Sequence, residues 1–147
     1  MMRAALPRRL VLGGMIAALP GLAWAREMLR FDGLYKSYGV RGMEFSDRVR
    51  QLAGSAVGIA GYMAPPLKAE SNFFVLSSEP LSICPFCESD ADWPVDIVVI
   101  YLRHVAPLTS AGARVTVSGR LDMGSWSDPE TGFVSLLRLM DAEYARA

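Results

Sequence analysis

The sequence predicts an all-β fold, a small five-stranded Greek-key barrel with one short N-terminal helix, with a β-sandwich as runner-up. Three observations lead there. Val115, Val117, Leu121 and Met123 alternate with Thr116, Ser118, Arg120 and Asp122, the period of a strand with one buried face. Ile97 to Leu102 is apolar on both faces, as in a central strand covered from two sides. Gly119 interrupts the alternating strand and marks a bulge or bend of the kind that curls a sheet.

Taken in order, residues 26–43 read as irregular, because Gly33, Gly39 and Gly42 break any helix; Leu34, Tyr35 and Tyr38 suit a short strand or a lid over the core. A short helix is expected from Asp47 to Ala53. Ser46 caps it, Asp47 suits its positive end, Val49 and Leu52 face inward, and Gly54 stands just past its end. Five β segments follow. Val57, Ile59 and Met63 alternate with Gly58, Ala60 and Tyr62 until Pro65-Pro66 stops the strand. Phe73 to Leu76 is a buried run, and the strands at 97–102 and 115–123 come next. Asp128-Pro129-Glu130-Thr131-Gly132 forms a turn, and Phe133 to Met140 returns as the last strand. The tail from Asp141 to Ala147 reads as helical or frayed. Five curled strands and one short helix fit a barrel of the oligonucleotide/oligosaccharide-binding (OB) type.

Length and charge bound the function. The 147 residues, 52% of them apolar, suit one compact domain. Residues 1–25 read as a cleaved signal peptide. Arg3, Arg8 and Arg9 give a positive start, Leu10 to Leu22 an apolar stretch, and Ala23-Trp24-Ala25 the small-x-small cleavage pattern. That stretch falls short of the roughly 20 residues of a spanning helix, so the mature chain is expected to have no membrane span. Arg8-Arg9 before Leu10-Val11-Leu12 also resembles a twin-arginine signal, but paired arginines are common in ordinary leaders and the general secretory route is favoured. Residues 26–147 then form a single domain, expected in the periplasm. Taking the leader's three arginines from 15 basic residues leaves 12 against 15 acidic ones, about −3, with no electrostatic reason to seek nucleic acid.

With its strands placed, the chain resembles a family of exported bacterial proteins of unknown function with an OB-like barrel. The run from Leu52 through Gly54, Val57, Ile59, Gly61 and Tyr62 to Pro65-Pro66 is similar to that family's Leu-x-Gly-x-x-Val-x-Ile-x-Gly-Tyr strand and its proline stop. Phe73-Phe74-Val75-Leu76 then leads, as in the family, to a cysteine-bearing loop. Cys84 matches the family cysteine, and Cys87 stands about where its histidine would be sought. Members are often encoded beside ABC-type permeases, some linked to zinc uptake or lipoprotein handling. The resemblance therefore implies an accessory role in envelope transport. The Cys-Pro-Phe-Cys loop departs from the family's Cys-x-His form, so any ligand role must be argued from the residues themselves.

Cys84 and Cys87 are the only cysteines, and their spacing lets a tight turn aim both sulfurs at one point, half of a tetrahedral site for zinc or copper(I). His104 is the only histidine, so a closed site of four Cys/His ligands is excluded within one chain. An open site could add His104, Glu88, Asp90, Asp92 or Met63. For His104 alone, a surface histidine at a strand end is the simpler reading. Export equally permits a local Cys84–Cys87 disulfide that only stiffens the loop. Thioredoxin-type exchange is disfavoured, because Glu88, Asp90 and Asp92 raise a nearby thiol's pKa and no βαβ unit surrounds the loop. Trp126 with Ser125, Ser127 and Asp128 is expected on a hairpin loop, where a packing role outweighs a sugar or protein contact. Met63 and Met123 read as core. No Ser/His/Asp arrangement, phosphate loop or zinc-protease helix is present.

The expected function is non-catalytic: a periplasmic accessory protein that binds zinc, or less readily copper, through Cys84, Cys87 and His104 for an envelope transport system. The rival is a protein-interaction adaptor of an ABC-type transporter with a structural disulfide. A third reading, an oligosaccharide-binding module, would use the barrel face.

Overall fold

The alternating segments of the chain find their partners far away in sequence. This computed structural model describes residues 26–66, 72–81, 93–105 and 107–147. Their strands are β1 (Glu27–Leu29), β2 (Tyr35–Gly39), β3 (Gly42–Phe45), β4 (Ala56–Met63), β5 (Phe73–Ser77), β6 (Ile97–Leu102), β7 (Arg114–Ser127) and β8 (Val134–Arg146). One helix, α1 (Asp47–Leu52), lies between β3 and β4. The fold is mostly β, as the sequence indicates. Its eight described strands nevertheless replace the expected five, in a mixed six-stranded sheet plus the β2–β3 hairpin.

The five strands read from the sequence are β4 to β8. Both β5 and β7 pair antiparallel with β4, β6 pairs antiparallel with β5, and β8 joins β6 in parallel and β7 antiparallel. The pairings therefore run β4-β5-β6-β8-β7 and return to β4. β7 occupies one edge of β4 along Ala56–Tyr62, so β1 and β5 share the other: β1 pairs in parallel with Val57–Ile59, and β5 takes Tyr62 and Met63.

Within residues 26–45, β2 takes up the short strand expected around Tyr35 and Tyr38, and β1 and β3 are additions. This stretch has no apolar period to announce it, and its strands form through partners: β1 through the open half of β4's edge, and β2–β3 through a hairpin in which Tyr35 and Phe45 stack at 5.3 Å. The tail also differs from expectation. Residues 141–146 continue β8, with Val115 opposite Arg146, because the first half of β7 would otherwise lack a partner on that side. Ladder pairing here overrides the helical leaning of Ala, Glu and Arg.

Apolar residues split into two layers. Inside lie Val57, Ile59, Met63, Phe74, Leu76, Ile100, Val117, Leu121 and Leu139, closed at one end by Leu34 and by Val49 of α1. Outside, Phe73, Val75, Ile97, Val99 and Tyr101 form a second buried layer on β5 and β6, against which Trp93, Trp126 and Phe133 pack. β6 is thus covered on both faces, as its sequence requires. Ser46 Oγ accepts from the Val49 amide at 3.2 Å as the cap of α1 and donates to Gly33 O at 2.7 Å. Gly54, with φ +81°, ends the helix in the left-handed region.

Gly119 sits at a bulge, where the β7–β8 register shifts between Ser118 and Arg120. A Cβ there would stand 2.9 Å from Met140 O and 3.0 Å from the Ala142 Cβ. Asp141, with φ 50°, takes up the bend on the opposing strand. At the far end of this hairpin Asp128 accepts from the Glu130 amide at 2.8 Å, which builds the expected turn.

Candidate functional site

Cys84 and Cys87 lie outside the described residues, as do Glu88, Asp90, Asp92 and residues 1–25, where the sequence reading expects a signal peptide. The structure describes the feet of their loop. Leu81 and Trp93 both pack on the outer apolar layer, and the Trp93 Nε1–H donates to the Tyr35 hydroxyl at 2.9 Å. Just below, the Ser78 amide donates to Asp96 O at 3.0 Å, which closes the neck of the β5–β6 connection. The loop therefore springs from a braced base at the β5–β6 end of the sheet.

His104 stands exposed just past the other end of β6. The six residues of that strand put it about 20 Å from the loop's neck. Among the described residues no group of three His, Cys, Asp or Glu side chains is placed to hold a metal ion. Met63 is fully buried in the inner layer.

Trp126 is not on a hairpin loop. It lies within β7 opposite Ser135, its ring edge-on to Tyr101 at 5.2 Å and 5.1 Å from the Arg138 guanidinium carbon. Arg138 is 4% exposed, and its guanidinium meets the Asp122 carboxylate at 2.8 Å and donates to Gly124 O at 2.8 Å and Ser135 O at 3.1 Å. Trp126 thus packs over the buried Arg138 guanidinium of a half-buried ion pair, which accounts for its aromatic surface without a ligand. Beside it the Tyr101 hydroxyl is buried with no hydrogen-bond partner among the described residues. Burial pushes its pKa up, and the nearby Asp128 carboxylate adds to the rise.

The loop's base borders a cleft of about 760 Å³ that the sequence reading did not foresee. One wall is the segment from Met28 to Asp32 with Tyr35 and Tyr38; the other is Ser78, Val95, Asp96 and Arg114. It exists because β1 and β5 share one edge of β4 and diverge beyond it. Phe31, Tyr35 and Tyr38 give it aromatic surface, and Tyr38 is 66% exposed. Burial raises the Tyr35 pKa, partly offset by the bond from Trp93. Arg30 and Asp32 pair with each other at 3.0 Å, which raises the first and lowers the second. Arg114 lies 6.0 Å over the Tyr62 ring, and neither it nor Asp96 has an ion-pair partner among the described residues. The only sequence signal for this cleft was the density of aromatic residues between Phe31 and Phe45.

No helix among the described residues is long and apolar enough to cross a membrane. No protein-family model matches the chain, and no curated protein or solved structure does either.

Proposed function

We propose that this is an exported, non-catalytic OB-like barrel that binds a transition metal, zinc first and copper(I) second, through Cys84 and Cys87. On this reading it is a periplasmic accessory of an envelope transport system such as an ABC-type permease. The barrel assignment is supported by the five-strand circuit β4-β5-β6-β8-β7 with its parallel β6–β8 pair. The leader, the Cys-Pro-Phe-Cys spacing and the resemblance described above support the rest.

The observation that carries the metal reading is that the described residues on either side of the loop are packed and hydrogen-bonded. A pair of thiolates binds a cation well when its loop is held in place beforehand, since ordering a free chain costs about 1–2 kcal/mol per residue. Leu81, Trp93 and the Ser78–Asp96 bond fix the residues that flank it. Glu88, Asp90 and Asp92 are the nearest oxygen donors in sequence. His104 completes the shell only if the loop reaches back along β6.

The rival reading, an adaptor with a structural Cys84–Cys87 disulfide, is favoured by one feature: Val40 is fully exposed at the β2–β3 tip, beside the exposed Tyr38. Titration of freshly reduced protein with Zn(II) and Cu(I), alongside Cys84→Ser and Cys87→Ser, separates the two. One ion bound per chain and lost in both variants supports the metal reading. No uptake after full reduction overturns it in favour of the adaptor.

A further inference from the structure

We infer that the cleft between the β1–β2 segment and the β4–β5–β6 strand ends binds a short extended peptide with free termini. The peptide's C-terminal carboxylate lies on Arg114 and its N-terminal ammonium on Asp96. This inference does not rest on the metal reading.

The first argument is charge. Of the charged side chains lining the cleft, Arg30 and Asp32 neutralise each other at 3.0 Å. Arg114 and Asp96 are left without ion partners among the described residues, and they carry opposite signs. A neutral sugar needs neither charge, and a simple anion needs only one. A ligand with a negative and a positive pole uses both.

The second argument is distance. Arg114 stands opposite Tyr62, Tyr62 opposite Ser77, and Ser77 opposite Ile97, the neighbour of Asp96. The two charged positions are thus three strand spacings apart, about 14 Å. An extended chain covers about 3.3 Å per residue, so about four residues bridge the poles.

The third is the surface between the poles. Met28, Phe31 and Tyr38 present apolar and aromatic area there, suited to peptide side chains, and Met28 and Tyr38 are more than half exposed. Arg114 lies 6.0 Å over the Tyr62 ring, which leaves its fork exposed to meet a carboxylate.

The test is calorimetric titration of the intact protein with the tetrapeptide Ala-Phe-Leu-Ala in three forms: free, N-acetylated and C-amidated. The free form is expected to bind, and blocking either end should weaken it about tenfold or more, as for a lost charge-assisted contact. Arg114→Gln should weaken the free peptide by the same factor yet leave the amidated form unchanged. Asp96→Asn should do likewise for the acetylated form. Arg103→Gln, which breaks a pair with Glu143 outside the cleft, should change nothing. Absence of binding at millimolar free peptide overturns the proposal. So does binding indifferent to blocked ends, or a preference for an N-acetylglucosamine disaccharide that persists in Arg114→Gln.

Discussion

Replacing Arg138 with Met removes the most heavily bonded buried cation of the described residues. The change keeps the apolar stem and roughly the volume, so its cost is that of the guanidinium. Nη1 donates to the carbonyls of Gly124 and Ser135 at 2.8 and 3.1 Å, and Nε donates to Asp122 Oδ2 at 3.0 Å. Losing this donor costs about 1–3 kcal/mol at the buried Ser135 carbonyl and less at the half-buried Gly124 carbonyl. The Trp126 stacking adds up to about 2 kcal/mol. Asp122 adds less, because its side chain is 40% exposed and rehydrates. The expected loss is about 3–5 kcal/mol, carried mainly by the carbonyls and the ring contact. Urea unfolding followed by near-ultraviolet dichroism of Trp126 should show the midpoint falling by roughly 2 M at an unchanged slope. Asp122→Ala should also destabilise, since it leaves a 4%-exposed cation uncompensated. The double variant should cost less than the two single losses together but stay below the parent, because the two carbonyls remain unpaired. A shift under about 1 kcal/mol for Arg138→Met, or a double variant as stable as the parent, would refute this reasoning.

Gly61→Ala should destabilise by about 1–3 kcal/mol, as overpacking does, because its Cβ would stand 2.6 Å from Ser77 O and 2.9 Å from Leu76 Cγ. A thermal midpoint equal to the parent's would show that β4 and β5 can part without loss. Stability should also fall at alkaline pH. Tyr101 and Tyr35 have folded pKa values above the ordinary tyrosine value of about 10. Their contribution is therefore full below about pH 10 and lost as pH rises towards the folded values, since the unfolded chain releases its phenol protons first. Urea midpoints between pH 8 and 11 should bend downward above 10, and Tyr101→Phe should flatten the bend; an equally steep fall in that variant would refute the assignment.

What the sequence determined by itself is what local pattern can encode. The period-two alternation of β7, the two-faced apolar run of β6, the Ser46 cap and the Asp128–Gly132 turn each depend on residues close in the chain, and each stands as read. Gly119 was legible as a bulge because a strand glycine has few other reasons to be there. Tertiary structure decided whatever depended on a distant partner. Residues 141–146 became strand because β7 needed a neighbour, and within 26–45 only the short strand at Tyr35–Tyr38 was announced, while β1 and β3 were not. Trp126 moved from an imagined loop into a strand because Arg138, twelve residues away, had a charge to bury beneath it. The cleft is the clearest case: Tyr38, Asp96 and Arg114 are far apart in sequence, and only the divergence of β1 and β5 from one edge of β4 brings them to a single space. Short-range patterns survive in a linear text because their energies are local; a cleft assembled from several strands leaves only the cluster of aromatic residues between Phe31 and Phe45.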